Sequence, residues 1–558
     1  MVSEWVAAML SSVSEMPGPN VEVVAYRSLH QPLSPLFLDY LSGQEAVRSF
    51  LPGAGLDLAR VGEGAERALR LERPASAVAE ALARQQEARG AREAAERARA
   101  LAAPGATAVV TGQQAGLFGG PLFVLWKALA TVRVARLLEE RRGRPVVPVF
   151  WVASDDHDFA EIRSTSLIDA AGAIRTLRYA PRREPVGQPA WAIALDDTIG
   201  ALVGELGEAL PPALGREEIL AAVSECYRPG VTISEAFARL VSRVLPGIVV
   251  LDPADAALKR LMVPVLAREL GEGSPTSRLA REAGQALLAA GYHQQVPVRE
   301  GFLNLFAVVD GQRRALGLAQ GVVEVRGTRE RWPIDDALRR LEADPSAWSP
   351  GALLRPLVQD ALLPTAAYVG GPAEIAYHAQ ITPSYAHFGI PRPALLPRPS
   401  LTLVEPQQAR VLDAERLTLA DLVGDPEALV SRWAREDYPD VEAAFARARE
   451  AIERELGGVE EALGAHDPTL RAATASARGR ALHQVEGLHE KALRALKKRD
   501  QGRAERLRRT RDALVPGGAL QERGLGLVGA LGRHGLSSVP DLEALFDPFA
   551  RGHQVVRR

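Results

Sequence analysis

The sequence predicts an α/β protein built on a buried parallel β-sheet. Residues 108–111 and 146–152 are short, uniformly apolar runs, as expected of strands covered on both faces. A helical pattern fills the space between them and ends before Gly143, a residue suited to a helix C-terminus. Together these elements form a βαβ unit, whose ligands are expected at the carboxyl ends of the strands.

The same alternation of strand and helix returns later in the chain, with strands predicted at residues 247–251, 365–369 and 394–396. Less regular segments separate these pieces and are interpreted as insertions. We therefore divide the chain into seven segments. The core and its insertions comprise an N-terminal segment with the first part of the core (residues 1–163), a first insertion (164–240), a core continuation (241–274), a second insertion (275–350) and a second part of the core (351–430). A helical hairpin (431–514) and a tail that packs on the core (515–558) follow.

The predicted hairpin has the pattern of a coiled coil. Apolar residues from Val441 to Leu463 recur at spacings of three and four. Gly464 is expected to end this helix, and Asp467-Pro468 to begin the next. A short loop between two such helices predicts an antiparallel pair. We expect this pair to pack on a second copy of the chain, giving a homodimer, and its basic run at 491–511 to be a solvated face.

Composition excludes several classes of protein. The 558 residues carry a formal net charge of −2, which gives no general attraction to nucleic acid or to an anionic membrane. A single cysteine, Cys226, excludes a disulfide framework and a cysteine-based zinc site. The first residues include Glu4 and lack the basic region of a signal peptide, and no apolar run is long enough to span a membrane. We expect a soluble cytoplasmic protein.

Two Gly-Gly-Pro breaks, at 119–121 and 370–372, each follow a strand and precede a helix. Pro121 and Pro372 are expected at the first helical positions. Helix N-termini attract anions, so two such ends at one edge of the sheet suggest a ligand cleft. The alternative, that Gly-Gly-Pro only separates strand from helix, remains open on these residues alone. Neither break belongs to a Walker A loop or a GxGxxG fingerprint, and no GxSxG nucleophile elbow is present.

Polar side chains cluster at the predicted strand ends. Asp155, Asp156, His157 and Asp158 follow residues 146–152. A histidine beside carboxylates suits a general base, and the carboxylates could hold Mg²⁺ alongside substrate phosphates. The alternative is a hydrogen-bonded, capped loop.

A second set of polar side chains is predicted on the two helices and their strands. Lys127, in the second turn of its helix, could reach an anion held at the helix N-terminus, or it could be a surface lysine. Glu374, Tyr377 and Gln380 are predicted to share one face of the second helix. That combination suits an amine or sugar hydroxyls. Tyr368 and Arg398 are expected at the same edge of the sheet.

These residues lie in segments through which the chain resembles the bacillithiol biosynthesis cysteine-adding enzymes. The long matching segments are TGQQAGLFGGPLFVLWKA, PVVPVFWVASDDHDFAEI, GALLRPLVQDALLPTAAYVGGPAEIAYHAQ and LLPRPS, with weaker matches in LFLDYLSG, GYHQQV and LQER. They run in order across nearly the whole chain. Two departures are Ala373, where another small residue of the glycine type is expected, and Asp155, where a glutamate is more usual.

The resemblance implies a Rossmann-type core like that of class I aminoacyl-tRNA synthetases, with connecting-peptide insertions and a coiled coil that makes a homodimer. It also implies addition of L-cysteine to the amine of glucosaminyl malate, the last step of bacillithiol synthesis. Forming that amide requires carboxyl activation, for which we expect ATP, through an adenylate or an acyl phosphate, with ATP or ADP bound and Mg²⁺ as a candidate ion.

On this basis each side chain receives an expected role. Asp156 or His157 would accept the amine proton, and Lys127 would act with them. The turn from Gly112 to Pro121 would hold phosphates or malyl carboxylates, and Glu374, Tyr377 and Gln380 would position the sugar. The expected substrate-binding residues are Thr111, Gly112, Gln113, Gln114, Gly119, Gly120, Asp155, Asp158, Tyr368, Gly371, Glu374, Tyr377, Gln380 and Arg398.

Two functions from other classes are also compatible with the sequence. One is a synthetase-like nucleotidyl transferase that grips RNA with the basic hairpin. The near-neutral charge and the missing His-x-Gly-His signature argue against it. The other is a non-catalytic coiled-coil scaffold, which would leave the polar residues at the strand ends unexplained.

Overall fold

The computed structural model describes residues 21–29, 31–53, 55–424, 438–499 and 501–558. Within them the chain forms two compact units. One contains the chain through Val404 together with Leu520–Arg558, and the other is Glu405–Ala519. The first 20 residues of the predicted N-terminal segment, and residues 425–437 around the predicted boundary at 430, lie outside the described residues.

The strands, in chain order, are β1 (Val21–Val24), β2 (Thr107–Gln113), β3 (Val146–Val152), β4 (Ser164–Ile168), β5 (Ile174–Arg178), β6 (Val249–Leu251), β7 (Phe302–Val309), β8 (Gln312–Ala319), β9 (Val322–Val325), β10 (Arg331–Pro333), β11 (Trp348–Pro350), β12 (Thr365–Gly370), β13 (Ala394–Pro397), β14 (Ser400–Val404) and β15 (His553–Arg557). The α-helices of the first unit are Pro35–Ser42, Glu45–Arg48, Leu58–Ala68, Ala75–Ala88, Arg92–Ala100, Phe123–Arg142, Phe159–Ile162, Thr198–Ala209, Arg216–Cys226, Ile233–Val244, Ala256–Gly271, Pro275–Ala289, Ile334–Ala343, Arg355–Leu362, Pro372–Phe388, Gln521–Gly524, Leu527–His534 and Val539–Ala544. Those of the second unit are Pro406–Glu415, Leu419–Val423, Pro439–His466, Leu470–Arg499 and Gln501–Leu514.

The core is a five-stranded parallel sheet in the order β13-β12-β2-β3-β6. Counted along the chain, its strands lie in the order five, four, one, two, three, which is the arrangement of a Rossmann fold. The predicted α/β class with a parallel sheet is therefore confirmed. β2, β3 and β12 are buried almost throughout because helices cover both faces of the sheet.

The helix Phe123–Arg142 connects β2 to β3 and ends where the sequence predicts. Gly143 adopts the left-handed conformation (φ 60°), and its N–H donates to the Glu139 carbonyl. Its start differs from the prediction. Pro121 pairs with Gly526 in an isolated β-bridge, and the helix begins two residues later, at Phe123. The second Gly-Gly-Pro behaves as predicted, with Gly371 as N-cap and Pro372 as the first helical residue.

Two antiparallel sheets lie in the predicted insertions. β4 and β5 form a hairpin that follows the acidic loop (residues 155–158) and the short helix Phe159–Ile162. The second insertion contains a five-stranded sheet in the order β10-β9-β8-β7-β11. This sheet carries Arg313 on β8 to the carboxyl end of β3, where it contacts His157.

A third sheet ties the C-terminal segment to the first unit. β15 lies between β1, to which it is antiparallel, and β14, to which it is parallel. The residues after Leu520 are separated from this unit in sequence by Glu405–Ala519, but belong to it in structure. They bring Glu522 to Arg398 and β14, and Arg523 to the carboxyl ends of the core strands.

In the second unit, the long helices Pro439–His466 and Leu470–Arg499 pack together as a hairpin. The prediction that Gly464 ends the first helix is wrong, since the helix continues to His466. Glycine inside a helix costs only about 1 kcal/mol, and the Arg471 side chain packs on the space that Gly464 leaves. Across the described ranges, no helix has both the length and the apolar character needed to cross a bilayer.

Candidate active site

A cavity of about 480 Å³ opens at the carboxyl ends of the central strands. It lies where strand order reverses, between β2 and β12, which is where doubly wound sheets bind ligands. Its lining residues are Gly112, Gln113, Gln114, Phe123, Lys127, Trp151, Ala153, Glu161, Ala352, Arg355, Tyr368, Gly371, Pro372, Ala373, Glu374, Tyr377, Arg398 and Arg523. The structure therefore brings nine of the seventeen predicted site residues to this one cleft.

Lys127 is buried in the cleft wall and has no donor left for a ligand. Its Nζ donates to Glu374 Oε2 at 2.6 Å, to the Gly112 carbonyl at 2.7 Å and to Gln113 Oε1 at 3.2 Å. An ammonium group has three donors, so these contacts use all of them. The lysine is 1% exposed, which excludes the alternative of a surface lysine. It is an internal cation neutralised by Glu374.

Glu374 is held from several sides. Tyr368 donates to Oε1 at 2.5 Å, and the Gly371 N–H donates to Oε2 at 2.6 Å. Burial alone would raise the pKa of this carboxyl, but the charge and hydrogen bond of Lys127 outweigh it and hold the pKa below its ordinary value. Glu374 is consequently an ionised group, hydrogen-bonded at both oxygens, that links the two walls of the cleft.

Three arginines give the cleft its positive charge. Arg398 is buried and paired with Glu522 at 2.7 Å, and its guanidinium lies 4.8 Å from the Phe123 ring centre. Arg355 donates to the hydroxyls of Tyr377 at 3.3 Å and Tyr368 at 3.4 Å. Within the described part of the chain, neither Arg355 nor Arg523 has a carboxylate at ion-pair distance. These two cations are therefore available to an anionic ligand.

The side chains of the acidic loop after β3 have different roles. Asp155 forms a buried pair with Lys259, at 2.8 Å and 2.9 Å, and Lys259 also donates to the Trp348 carbonyl at 2.8 Å. Asp158 accepts from the Glu161 N–H at 3.2 Å and caps the short helix Phe159–Ile162. The capped-loop interpretation thus applies to Asp158, while Asp155 anchors the loop to the helix Ala256–Gly271.

Asp156 and His157 remain partly open to solvent, with side chains 34% and 38% exposed. Asp156 Oδ1 accepts from the His157 N–H at 2.7 Å, and Oδ2 accepts from Gln114 Nε2 at 2.6 Å. Gln114 also donates to Glu161 at 2.7 Å, and both of these residues line the cavity. Burial, with Arg313 nearby, lowers the pKa of His157, so its ring is neutral at pH 7.

Three predicted site residues have other positions. Gly119 and Gly120 face the C-terminal segment: a Cβ on Gly119 would lie 2.5 Å from Leu527, and the Gly119 N–H donates to the Tyr227 hydroxyl at 3.2 Å. Thr111 is buried and donates to the Val369 carbonyl across the sheet at 2.8 Å. The first Gly-Gly-Pro is thus a packing feature here, and only the second one lines the cavity.

The predicted shared face for Gln380 is wrong. Gln380 is buried and exchanges two hydrogen bonds with the Val296 backbone, at 2.8 Å and 3.0 Å. Six residues at about 100° each place it roughly 120° around the helix from Glu374. Tyr377, about 60° from Glu374, lines the cleft as predicted.

Comparison with known proteins gives the family. Residues 20–399 match the family model described as "Bacillithiol biosynthesis BshC, N-terminal Rossmann-like domain", and residues 401–558 match "Bacillithiol biosynthesis BshC, C-terminal coiled-coil domain". The chain belongs to the BshC family. The resemblance in the sequence motifs is confirmed by these matches over both units.

Curated relatives agree with this assignment. A protein named "Putative cysteine ligase BshC" from Salinibacter ruber is 35% identical over 554 residues, covering 97% of this chain and all of the relative. Proteins of the same name from Chlorobaculum tepidum and Koribacter versatilis are 34% and 35% identical. They cover 96% and 78% of this chain, and 100% and 81% of their own lengths.

The sequence did not predict four site residues of this BshC chain, which are Arg355, Arg523, Arg313 and Lys259. Arg355 and Arg523 lie inside the matching segments GALLRPLVQ and LQER, so the segments themselves were the available signal. Arg313 and Lys259 lie in no such segment. Only the tertiary structure shows that they contact His157 and Asp155.

The acidic loop of this BshC chain does not fit a Mg²⁺ site. Asp155 is paired with Lys259, and Asp156 accepts hydrogen bonds from a side chain and the backbone. In the residues that the structure describes, no group of three or more histidine, cysteine or carboxylate side chains is arranged to hold a metal ion. The carboxylates of this loop are therefore assigned to hydrogen bonds and ion pairs.

Proposed function

We propose that this protein is a cysteine ligase that joins the carboxyl group of L-cysteine to the amine of glucosaminyl malate and so completes bacillithiol. The proposal is supported by the family and by the names of the relatives. The observation that carries it is the cleft at the reversal of strand order. There, two arginines that have no carboxylate partner among the described residues lie near a solvent-accessible aspartate and histidine.

The arginines would bind the anionic part of a substrate. Arg355, Arg523 and Arg398 all line the cavity. Guanidinium groups suit planar carboxylates and phosphates because they donate two parallel hydrogen bonds. The malyl carboxylates of the acceptor or the phosphates of a nucleotide would fit this wall. The donors of Lys127 are already used, so we assign its expected anion-binding role to these arginines.

The chemistry requires an activated carboxyl group and a neutral amine. ATP is the activating agent we propose, and it would supply a phosphate-containing leaving group on the cysteine carboxyl. The amine nitrogen then forms the new C–N bond, the bond to the leaving group breaks, and one amine proton passes to a base. Asp156 and His157 are the candidate bases, since each has an accessible side chain near the cleft.

Two structural proposals accompany the function. The five-stranded core with its two insertions is proposed to be of the class I aminoacyl-tRNA synthetase type. The helical hairpin of the second unit is proposed to form a homodimer. Its exposed apolar residues, Val459, Leu463, Leu470 and Leu488, support this because a coiled-coil face of this kind is stable when covered.

The test is reconstitution with the purified protein, L-cysteine, glucosaminyl malate and ATP, followed by mass spectrometry of the thiol product. Bacillithiol should form, and AMP or ADP in the products distinguishes adenylate from acyl-phosphate activation. The variants Arg355→Ala and Arg523→Ala should lower the rate. In cells lacking the protein, glucosaminyl malate should accumulate without bacillithiol. Absence of both results, with no binding of either substrate, would favour a scaffold.

A further inference from the structure

Arg313 is anchored so that one edge of its guanidinium faces His157. On β8, its Nε donates to Ser349 Oγ at 3.0 Å and its Nη2 to the Pro350 carbonyl at 3.1 Å. The guanidinium lies 3.6 Å from the centre of the Phe306 ring. The remaining contact is Nη1 to His157 Nδ1, at 3.2 Å. A side chain held at three other points has little freedom to turn away from the imidazole.

This contact fixes which histidine nitrogen carries the proton. Arginine has only donors and stays charged at all ordinary pH values. His157 Nδ1 must therefore be the acceptor, and a neutral ring then carries its proton on Nε2. In this state Nε2 donates a hydrogen bond and cannot accept a proton, while the lone pair on Nδ1 is occupied by Arg313.

The charges around the ring act in opposite directions. Arg313, from the second insertion, opposes an imidazolium, whereas Asp156, whose Oδ1 lies 3.7 Å from Nδ1, and Asp158 favour one. Burial and Arg313 outweigh the two carboxylates, so the pKa of His157 lies below its ordinary value. The charge balance thus agrees with the geometry of the contact.

Asp156 differs from His157 in having an acceptor site left. A carboxylate offers about four lone-pair sites. Oδ1 of Asp156 accepts from the N–H groups of His157 and Asp158, at 2.7 Å and 3.4 Å, and among the described residues Gln114 is the one donor to Oδ2. Oδ2 therefore retains one site at which a proton can be received.

We propose that Arg313 is a positioning residue that holds His157 as the neutral Nε2–H tautomer. His157 then donates a hydrogen bond to the reacting groups, and the amine proton goes to Asp156. This inference rests on the proposed ligase function for the step it assigns, but the tautomer and its dependence on Arg313 are properties of the free protein.

The first test reads the tautomer by NMR, without any substrate. The full-length protein is labelled with ring-¹⁵N histidine, and His157→Gln identifies the His157 signals by their loss. The expected pattern at pH 7 is a proton on Nε2 and none on Nδ1. Arg313→Ala should raise the pKa of His157, because a cation that opposes protonation is gone, and should mix the tautomers. Arg314→Ala, at the neighbouring position on β8, should change neither.

A proton on Nδ1 in the unmodified protein, an imidazolium at pH 7, or an Arg313→Ala spectrum identical to that of the unmodified protein would each overturn the proposal. These outcomes do not depend on the reaction, so they are distinguishable from a failure of the ligase assignment.

The second test compares two replacements of His157 in the ligase assay. Glutamine can place an N–H near the position of Nε2 but cannot act as a base at neutral pH. His157→Gln should therefore keep most of the activity that His157→Phe loses. If both variants fall equally, by the 10²–10⁴-fold typical of a lost general base, His157 is the proton acceptor and the inference is wrong. Arg313→Lys cannot keep all four contacts of the arginine. Its ligase activity should lie between that of the unmodified enzyme and that of Arg313→Ala.

Discussion

Lys127 Nζ lies 2.6 Å from Glu374 Oε2, and this contact joins the two helices that follow β2 and β12. Both strands adjoin the point where strand order reverses. The pair therefore fixes the separation of the two cleft walls. The three donors of Lys127 are used within the protein and both oxygens of Glu374 accept hydrogen bonds, so we assign the pair to holding the cleft in shape and anion binding to the arginines.

Breaking this pair from one side should destabilise the first unit strongly. Lys127→Met leaves the partly buried Glu374 carboxylate without its cation, and Glu374→Gln leaves the buried lysine without its anion. Each should cost about 3–5 kcal/mol of unfolding free energy. The double variant should cost clearly less than the sum, because it removes both charges. Urea unfolding of the three variants measures this, and additive losses would show that the two groups are not coupled.

The sequence predicts an element of this fold correctly where the structure of that element depends on neighbouring residues in the chain. β3 was predicted at its observed bounds because its apolar run is uniform and lies between Arg144-Pro145 and Ala153-Ser154. Glycine at 143 and proline at 372 also act through local backbone preferences, and both were predicted correctly. The prediction that Pro121 begins a helix was wrong, because Pro121 pairs with Gly526, which lies some 400 residues later in the chain.

The site was harder to predict than the fold for the same reason. The sequence shows which polar residues follow each strand, and it places Lys127, Glu374 and Tyr377 at the cleft. It does not show that Lys127 is neutralised from across the sheet. Arg523 and Arg313 reach the site from the C-terminal segment and the second insertion. The matching segment LQER singles out Arg523, but no local pattern indicates which groups either arginine contacts.

Arg523→Ala should weaken binding of the anionic substrate. A hydrogen bond to a charged group contributes about 1.5–3 kcal/mol, so KM for that substrate should rise about 10- to 100-fold. Titrating glucosaminyl malate and ATP separately shows which of them Arg523 binds. Arg523→Lys should recover part of the loss, and Arg551→Ala, an exposed arginine of the same C-terminal segment, should have no effect. An unchanged KM for both substrates would remove Arg523 from the binding site.

Leu488→Glu should dissociate the proposed dimer. Leu488 is 60% exposed on the helix Leu470–Arg499, and Val459 is 44% exposed on the helix that packs beside it. A carboxylate at this position would be desolvated in an apolar interface, which is strongly unfavourable. Sedimentation analysis should show a dimer for the unmodified protein and a monomer for the variant. Leu214→Glu, at a leucine of the first unit that is 86% exposed, is the matched control. If the Leu488→Glu variant remained a dimer, the interface would lie elsewhere.

His378→Phe should stabilise the first unit, and more so in acid. His378 is buried, stacks on Tyr377 with ring centres 5.2 Å apart, and has no hydrogen-bond partner for either ring nitrogen among the described residues. Phenylalanine keeps the ring and removes two unsatisfied polar atoms, which is worth about 1–3 kcal/mol.

The pH dependence follows from the pKa of the same ring. Burial lowers the pKa of His378 to about 3, below the value of about 6.5 in an unfolded chain. Between these values the unfolded state binds the extra proton, so stability falls as the pH falls below 6.5. By pH 5 the loss from this one residue is about 2 kcal/mol, and His378→Phe should remove it. Unfolding free energies at pH 7 and pH 5 measure the difference, with exposed His466→Phe as control. An equal pH dependence in variant and unmodified protein would show that His378 is not held neutral.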